Sequence, residues 1–166
     1  NGAGDGERLA VQTFAKKLYG PVFAKLGWKP KAKEEGEIGL WRATLASFLV
    51  NTAKDPAARK EAARLGRAYV GTKALNREAV DGNLAGVAVA AAVEAGDAAF
   101  FDLVLARGLE ATDPATRANL IGALGYAKDP ALAQKALGLI LDERIRKNEM
   151  VTLMAPQLAA LETRPD

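Results

Sequence analysis

The sequence predicts an all-α protein in which the chain folds back on itself as a stack of antiparallel helices. Two observations support this prediction: a repeated signal for the start of a helix, and apolar residues at helical spacing after each start. Asp97, Asp113 and Asp129 stand sixteen residues apart, and Pro114 and Pro130 directly follow the last two. An aspartate at the N-cap accepts a hydrogen bond from an amide of the first turn, and proline fits the first helical position without losing a bond.

The apolar residues that follow each start are spaced by three, four and one positions, which places them on one side of a helix. A repeat of sixteen residues accommodates one helix of about three turns and a short connection. Leu105, Ile121 and Leu137 occupy the same position in successive repeats, and we expect them in the core. The next position holds a small residue in each repeat, which predicts that neighbouring helices approach closely there. These small residues are Ala106, Gly122 and Gly138.

The N-terminal part of the chain predicts one interrupted helix. This helix begins near Glu7, is interrupted by the Gly-Pro pair at residues 20–21, and closes at Gly27. Residues 1–6 have neither the basic start nor the apolar core of a secretory signal, and we expect them to form a flexible lead-in.

Clear loop and helix-start signals delimit the next two helices. A polar loop at residues 29–36 precedes the second helix, which is predicted over residues 37–52. Asp55 and Pro56 then repeat the start signal seen later in the chain, so the third helix begins there and ends at Gly71.

The remaining helices complete the predicted stack. A fourth helix lies within residues 77–95, before Gly96, and a last one covers residues 149–161, where Pro156 is a candidate kink. We find no alternating strand pattern of useful length and no hairpin signal between two such runs. Helices of this length joined by short turns suit an α-solenoid of the armadillo or HEAT kind, which we favour, or an irregular bundle.

The totals are those of an ordinary globular domain. The chain has 166 residues, of which 49% are hydrophobic, and 23 Lys and Arg against 20 Asp and Glu give a net charge of +3. We therefore assign residues 1–166 to one helical-repeat domain. No apolar run is long enough to cross a membrane, so we expect a soluble protein of the cytoplasm or periplasm, without a membrane partner.

The missing residue types exclude several kinds of site. The chain contains no histidine and no cysteine, and Ser47 is its single serine. These residues cannot build a histidine-based zinc site, a cysteine thiolate site, or a Ser-His-Asp or Cys-His triad. The sequence therefore predicts a module without catalytic residues, metal ligands or a cofactor, whose role is to bind, cap or scaffold.

One hypothesis that fits these features is a stand-alone helical-repeat module that binds protein or nucleic acid. The densest basic stretch of the chain could contact phosphates. Acidic residues follow that stretch at once, and the net charge is small, so nucleic acid is the less favoured partner. The basic residues concerned are Lys16, Lys17, Lys25, Lys29, Lys31 and Lys33.

A second hypothesis comes from a resemblance to the C-terminal helical domain of the gluzincin zinc aminopeptidases, the group of the puromycin-sensitive and endoplasmic-reticulum aminopeptidases. LGWKPK at residues 26–31 resembles the family's LGW-x-PK, and LWRATL at residues 40–45 is similar to its LLR-x-L-V/L. EAAR at residues 61–64 is similar to E-A-R-R. Residues 124–135 resemble L-G…PDLIQK, and IRKNE at residues 145–149 is similar to V-R-x-Q-D. The five segments follow the family's order at about the family's spacing.

The resemblance implies a role as well as a fold. It implies that the chain is a truncated C-terminal domain of a larger enzyme, whose zinc lies in a separate catalytic domain of the same chain and activates a water molecule. The helical domain of such enzymes covers that site, encloses a chamber and limits the access of peptide substrates. The resemblance thus predicts a domain that is inactive alone and helps to admit and hold peptides.

Three arginines are the candidates for substrate binding that follow from the resemblance. A peptide's terminal carboxylate would favour the forked donors of an arginine. Arg42 lies in the second matched segment, and Arg117 and Arg146 lie in or next to the repeated helices, so we consider all three for the inner wall. The alternative for each is a structural arginine that pairs with a neighbouring helix.

Overall fold

The computed structural model describes the backbone of residues 2–162 and the side chains of residues 6–159. Over that range the chain forms eight α-helices and no strand, which confirms the predicted all-α class. The helices are α1 Gly2–Leu26, α2 Gly36–Ser47, α3 Pro56–Val70, α4 Gly82–Glu94, α5 Ala98–Glu110, α6 Pro114–Ala123, α7 Pro130–Gly138 and α8 Lys147–Glu162. A π-helical turn at Phe48–Thr52 extends α2, and 3₁₀ turns at Leu124–Tyr126 and Leu139–Leu141 extend α6 and α7.

The aspartate start signals act as predicted. The side chains of Asp97 and Asp113 each accept a hydrogen bond of 2.9 Å from the amide three residues later, at the N-termini of α5 and α6. Asp55 and Asp129 do the same for α3 and α7. Asp81 is a fifth cap, at α4, and accepts a bond of 2.9 Å from the amide of residue 83. Each cap satisfies donors that the first turn leaves unpaired.

The helices pack in an order that makes two layers. α4 lies between α2 and α6, and α6 lies between α4 and α8, so the even-numbered helices form one continuous layer. α3 packs on α4, α5 packs on α6, and α7 packs on α8. The core lies between these helices, where Leu84, Val89, Phe101, Leu120 and Leu153 are almost completely buried. Nearest-neighbour stacking of this kind is the packing of an α-solenoid.

The predicted repeat holds for α6 and fails for α7. Ile121 is buried as expected and Leu105 is half-buried, but Leu137 is 40% exposed. The cause is a change of buried face, because α7 instead turns Leu132 and Ala136 inward.

The prediction of close approach at the small residues is also wrong for two of its three positions. Ala106 is exposed, and a Cβ added to Gly138 would meet no atom within 4 Å. A Cβ on Gly122 would lie 3.5 Å from Cβ of Thr152, which is ordinary contact. Close approaches between helices occur instead at Gly66 and Gly125, where an added Cβ would lie 2.1 Å and 2.4 Å from a backbone oxygen of another helix.

The N-terminal helix is longer than predicted. α1 begins at Gly2 instead of near Glu7, so residues 2–6 belong to the helix and are not a lead-in, while Asn1 lies outside the described residues. The helix also continues through Pro21. Proline removes one amide from the helical ladder, and this is tolerated because residues 17 and 21 are both exposed, so water can reach the carbonyl that loses its partner.

Three further boundaries differ from the predictions. The second helix ends as an α-helix at Ser47 and finishes as the π-helical turn, and the fourth begins at Gly82 because Asp81 caps it there. α8 begins at Lys147, two residues early, and passes through Pro156 to Glu162. None of the helices within the described part of the chain combines the length and the apolar character needed to cross a lipid bilayer.

Candidate functional site

A groove runs across the layer of even-numbered helices. It encloses about 350 Å³, within the range of small-ligand sites. Four elements line it: the end of α2 with the π-helical turn, the middle of α4, α6 with its 3₁₀ turn, and α8. The lining residues are Ser47, Asn51, Gly86, Val87, Ala90, Ala118, Asn119, Gly122, Ala123, Tyr126, Thr152, Ala155 and Pro156.

The π-helical turn supplies the polar end of the groove nearest α2. Its defining bond joins the amide of Ala53 to the carbonyl of Phe48 at 2.9 Å, and this one-residue widening follows directly after α2. Nδ2 of Asn51 donates to Oγ of Ser47 at 3.2 Å, which leaves the amide oxygen of Asn51 available. Turns of this kind are frequently found at functional sites.

Asn119 supplies the polar group at the centre of the groove. It is half-buried on α6, and its side-chain amide forms no hydrogen bond with the described residues. Gly86 on α4 makes room for it, because a Cβ at that position would lie 2.9 Å from Oδ1 of Asn119. The amide oxygen of Asn119 therefore lies against Gly86 of α4, while the two Nδ2 donors have no hydrogen-bond partner among the described residues.

Along this layer, two more glycines leave space for a polar side chain of the next even-numbered helix. Gly39 on α2 faces Nδ2 of Asn83 at 3.4 Å, measured from an added Cβ, and Gly122 on α6 faces Oγ1 of Thr152 at 3.6 Å. The hydroxyl of Thr152 donates to the carbonyl of Glu149 at 2.8 Å. Each glycine thus lets a polar side chain of the next even-numbered helix lie close to the layer.

The groove carries no charged side chain among its lining residues. Its polar groups are the two asparagine amides and the hydroxyls of Ser47, Tyr126 and Thr152. Neutral donors and acceptors among small apolar side chains suit a neutral, hydrogen-bonding ligand.

Arg117 lies inside the fold and not in the groove. Its Nε and Nη2 donate to the two carboxylate oxygens of Glu149 at 2.7 and 3.1 Å, and Nη2 also donates to the carbonyl of Arg144 at 2.7 Å. Nη1 reaches the carbonyls of Gly108 and Leu109 at 3.4 and 3.3 Å. The guanidinium therefore joins the end of α5, the loop before α8 and α8 itself, as in the structural alternative stated for this residue.

The pKa of Glu149, the partner of Arg117, is set by opposing effects. Burial by itself would raise the pKa of Glu149, but the hydrogen bonds from Arg117, the amide of Arg146 at 2.8 Å and the two positive charges outweigh it. The pKa of Glu149 therefore lies below its ordinary value of 4.5. Glu149 was not singled out from sequence as a site residue, and it is the buried acid around which Arg117 is organised.

Arg42 is completely buried and fastens the loop between α1 and α2. Its Nε donates to the carbonyl of Gly27 at 3.0 Å, and its Nη2 pairs with Glu34. The hydrogen bonds from Arg42, together with the amide of Lys31, hold the pKa of the Glu34 carboxyl below its ordinary value. Arg42 also matches the structural alternative.

Arg146 is the one exposed member of the predicted set. Its guanidinium takes part in no hydrogen bond or ion pair within the described residues, while its amide donates to Glu149. The structure thus brings Arg146 and Arg117 together around Glu149 and leaves Arg42 at the other end of the fold. None of the three lines the groove. Their assignment to substrate binding stays a prediction.

A second depression of about 480 Å³ lies between α3, α4 and the segment after α6. Its centre is Glu94, which pairs with Arg59 at 2.7 Å and with Lys128. Burial would raise the pKa of Glu94, but these two cations lower it below its ordinary value. Arg59, Lys60 and Lys128 face the single carboxylate of Glu94, so this depression carries an excess of two positive charges, whereas the groove has an uncharged lining.

The groove residues were not predicted from the sequence. Asn51, Asn119 and Thr152 are far apart in the chain and belong to no local motif. Two weak signals could have found them. Each is an uncharged polar residue in an otherwise apolar helical stretch, and Asn119 and Thr152 each lie next to a glycine of the preceding even-numbered helix.

The described residues also offer no metal site. Among them, no three His, Cys, Asp or Glu side chains are grouped so that they could hold a metal ion, and the full sequence has neither His nor Cys. The resemblance implies a zinc ion in a separate catalytic domain, and that domain is not part of these 166 residues.

Comparison with known proteins gives the chain its family. The model of the family described as the ERAP1-like C-terminal domain matches residues 3–165, which is almost the whole sequence. That family is the C-terminal domain of ERAP1-like aminopeptidases, and the all-helical fold agrees with the resemblance found in the five sequence segments. The chain belongs to the family of ERAP1-like C-terminal domains.

Proposed function

We propose that this chain is the non-catalytic C-terminal helical domain of a zinc-dependent aminopeptidase, which caps the active-site chamber and helps to admit and hold peptide substrates. The family match over residues 3–165 is the observation that carries the proposal. The zinc and the catalytic groups would belong to another domain of the same polypeptide, since this sequence has no histidine or cysteine. That catalytic domain would be the main partner of the helices.

The groove supports a role in holding substrate. It lies on the continuous layer formed by the even-numbered helices, it has a volume of about 350 Å³, and its lining combines uncharged hydrogen-bonding groups with small apolar side chains. Such a lining can bind part of a peptide reversibly through neutral hydrogen bonds.

An unpaired apolar face on α1 supports a packed partner domain. Val11, Phe14, Leu18 and Val22 recur at spacings of three and four, and each is exposed, Phe14 by 68%. Contiguous exposed apolar residues of this size mark interaction surfaces. On the proposal, this face packs against the remainder of the enzyme.

The proposal predicts where aminopeptidase activity is found. An aminoacyl-arylamide assay with added zinc should show turnover by the natural protein that contains residues 1–166, and none by a purified chain of these 166 residues. The chain is expected to be inactive because it has no zinc ligands of the required kind. Circular dichroism on the same sample verifies that the inactive chain is folded and helical.

Two results would contradict the proposal. Arylamide turnover that stays with the 166-residue chain through purification would place catalysis in these helices. If the natural protein that contains residues 1–166 has no zinc-dependent aminopeptidase activity, the assignment of this domain to such an enzyme is wrong.

A further inference from the structure

We propose that the groove binds the main chain of an extended peptide, with the side-chain amide of Asn119 as the central contact and Asn51 and Thr152 beside it. This inference rests on the proposed function and specifies which part of a peptide this wall recognises. It assigns the contact to neutral amide groups on the layer of even-numbered helices. It does not use the arginines predicted from the sequence.

The chemistry of Asn119 matches a peptide group. A peptide unit offers one N–H donor and one C=O acceptor, and an asparagine side chain offers the complementary acceptor and donors. Asn119 is half-buried, faces the groove, and forms no hydrogen bond with the described residues.

The lining next to Asn119 allows a backbone to come close. Gly86, Ala118 and Gly122 present no side chain beyond a methyl group. A peptide main chain can therefore reach the Asn119 amide without its own side chains clashing with the wall. Small residues also accompany Asn51 and Thr152 in the lining, among them Ala90, Ala123 and Ala155.

Because its lining is uncharged, the groove should bind the main chain of a peptide in preference to charged side chains or charged termini. No lining residue is charged, so the groove has no partner for an acidic or basic side chain or for a terminal carboxylate. The fork of Arg117, which could bind a carboxylate, is occupied by Glu149 and by three backbone carbonyls. Binding should therefore depend little on substrate sequence and little on salt.

The test compares the kcat/KM values of the intact natural enzyme for two substrates. One is an uncharged peptide of about ten residues, and the other is a small aminoacyl-arylamide that is too short to reach the groove. Asn119→Leu should lower the ratio of peptide kcat/KM to arylamide kcat/KM by about tenfold, because a peptide group loses its partners in a dehydrated site. Asn119→Asp keeps the size and the acceptors but loses the donors, and it should lower the ratio as well.

Two controls make the result specific. Gln134→Leu replaces another amide on α7, away from the groove, and should leave the ratio within about twofold of the wild-type value. A peptide methylated on its main-chain nitrogens lacks the donors, so the wild-type enzyme should process it less well than the plain peptide. Asn119→Leu should reduce that preference.

The outcomes separate this inference from the proposed function. If the enzyme hydrolyses arylamides but Asn119→Leu and Asn119→Asp both leave the ratio unchanged, the main-chain contact is wrong and the aminopeptidase assignment stands. A ratio that falls equally for plain and methylated peptides would also overturn it, since the loss would not concern main-chain amides. A fall of the peptide kcat/KM of the wild-type enzyme at high salt, without a change for the arylamide, would indicate recognition by charge instead.

Discussion

Replacing Gly66 with alanine should destabilise the domain by at least about 3 kcal/mol, the upper part of the range for an overpacked core. The new Cβ would lie 2.1 Å from the carbonyl oxygen of Ala88, 2.5 Å from its carbon and 2.9 Å from Cβ of Ala92. Two of these atoms are backbone of α4, so α3 and α4 must move apart. Alanine gains about 1 kcal/mol over glycine in helix propensity, which is too little to compensate. Urea unfolding followed by circular dichroism measures the change.

Gly138→Ala is the matched control for this substitution. Gly138 ends α7 with an ordinary helical φ of −62°, and an added Cβ would meet nothing within 4 Å. The same change should therefore stabilise the chain, by about 0.5–1 kcal/mol. If Gly66→Ala unfolded at the same urea concentration as Gly138→Ala, the close packing of α3 on α4 would be wrong.

Replacing Arg117 with methionine should cost about 3–5 kcal/mol, the loss expected when one partner of a buried ion pair is removed. Glu149 would keep only the amide of Arg146, and the carbonyls of Gly108, Leu109 and Arg144 would lose their donor. Methionine has a similar length and fills much of the space, so the loss measures the hydrogen bonds and the charge more than a cavity. Urea unfolding at neutral pH gives the value.

An exposed ion pair provides the comparison. Arg64 pairs with Glu61 at 2.6 Å on the surface of α3, where the arginine side chain is 63% exposed. Arg64→Met should shift the urea midpoint much less than Arg117→Met does, because solvent weakens such pairs. Equal effects of the two substitutions would show that Arg117 does not organise the end of the fold.

The pH dependence of the Arg117 variant follows from the pKa of Glu149. In the wild-type protein this pKa is lowered from 4.5, so the pair stabilises fully above about pH 4.5 and its contribution is lost as the pH falls through the lower, folded pKa. Without Arg117, burial is the largest remaining effect and should raise the pKa of Glu149 instead. The difference in stability between wild type and Arg117→Met should therefore shrink on acidification. A difference that grows below pH 4.5 would contradict the described pair.

The sequence predicted the parts of the fold that local chemistry decides. An aspartate N-cap fixes a helix start within a few residues, and all four predicted starts at Asp55, Asp97, Asp113 and Asp129 are caps in the structure; all but Asp97 are followed by proline. The length of α1 was not predicted, because the usual effect of Gly-Pro on a helix is overcome where the broken bond faces solvent. The exposure of Leu137 was not predicted either, since an exact sixteen-residue spacing does not determine which face of α7 meets its neighbours.

The arginines predicted from the sequence and the residues that line the groove are different sets, for a physical reason. The arginines were chosen because a guanidinium can bind a carboxylate. Whether a guanidinium is available to a ligand depends on its burial, and Arg42 and Arg117 already form ion pairs with Glu34 and Glu149. The groove depends on contacts between helices distant in sequence, such as Gly86 with Asn119. No pattern within one helix reports such a contact.

The most direct measurement places a photoreactive benzophenone side chain in the natural enzyme and identifies its cross-links to a bound peptide. At Ala118, which is exposed and lines the groove, the proposed function predicts efficient cross-linking to the substrate. At Ala106, which is exposed on α5 outside the groove, it predicts none. A peptide that cross-links at Ala106 as well as at Ala118, or at neither position while being hydrolysed, would contradict the assignment of this groove to the substrate chamber.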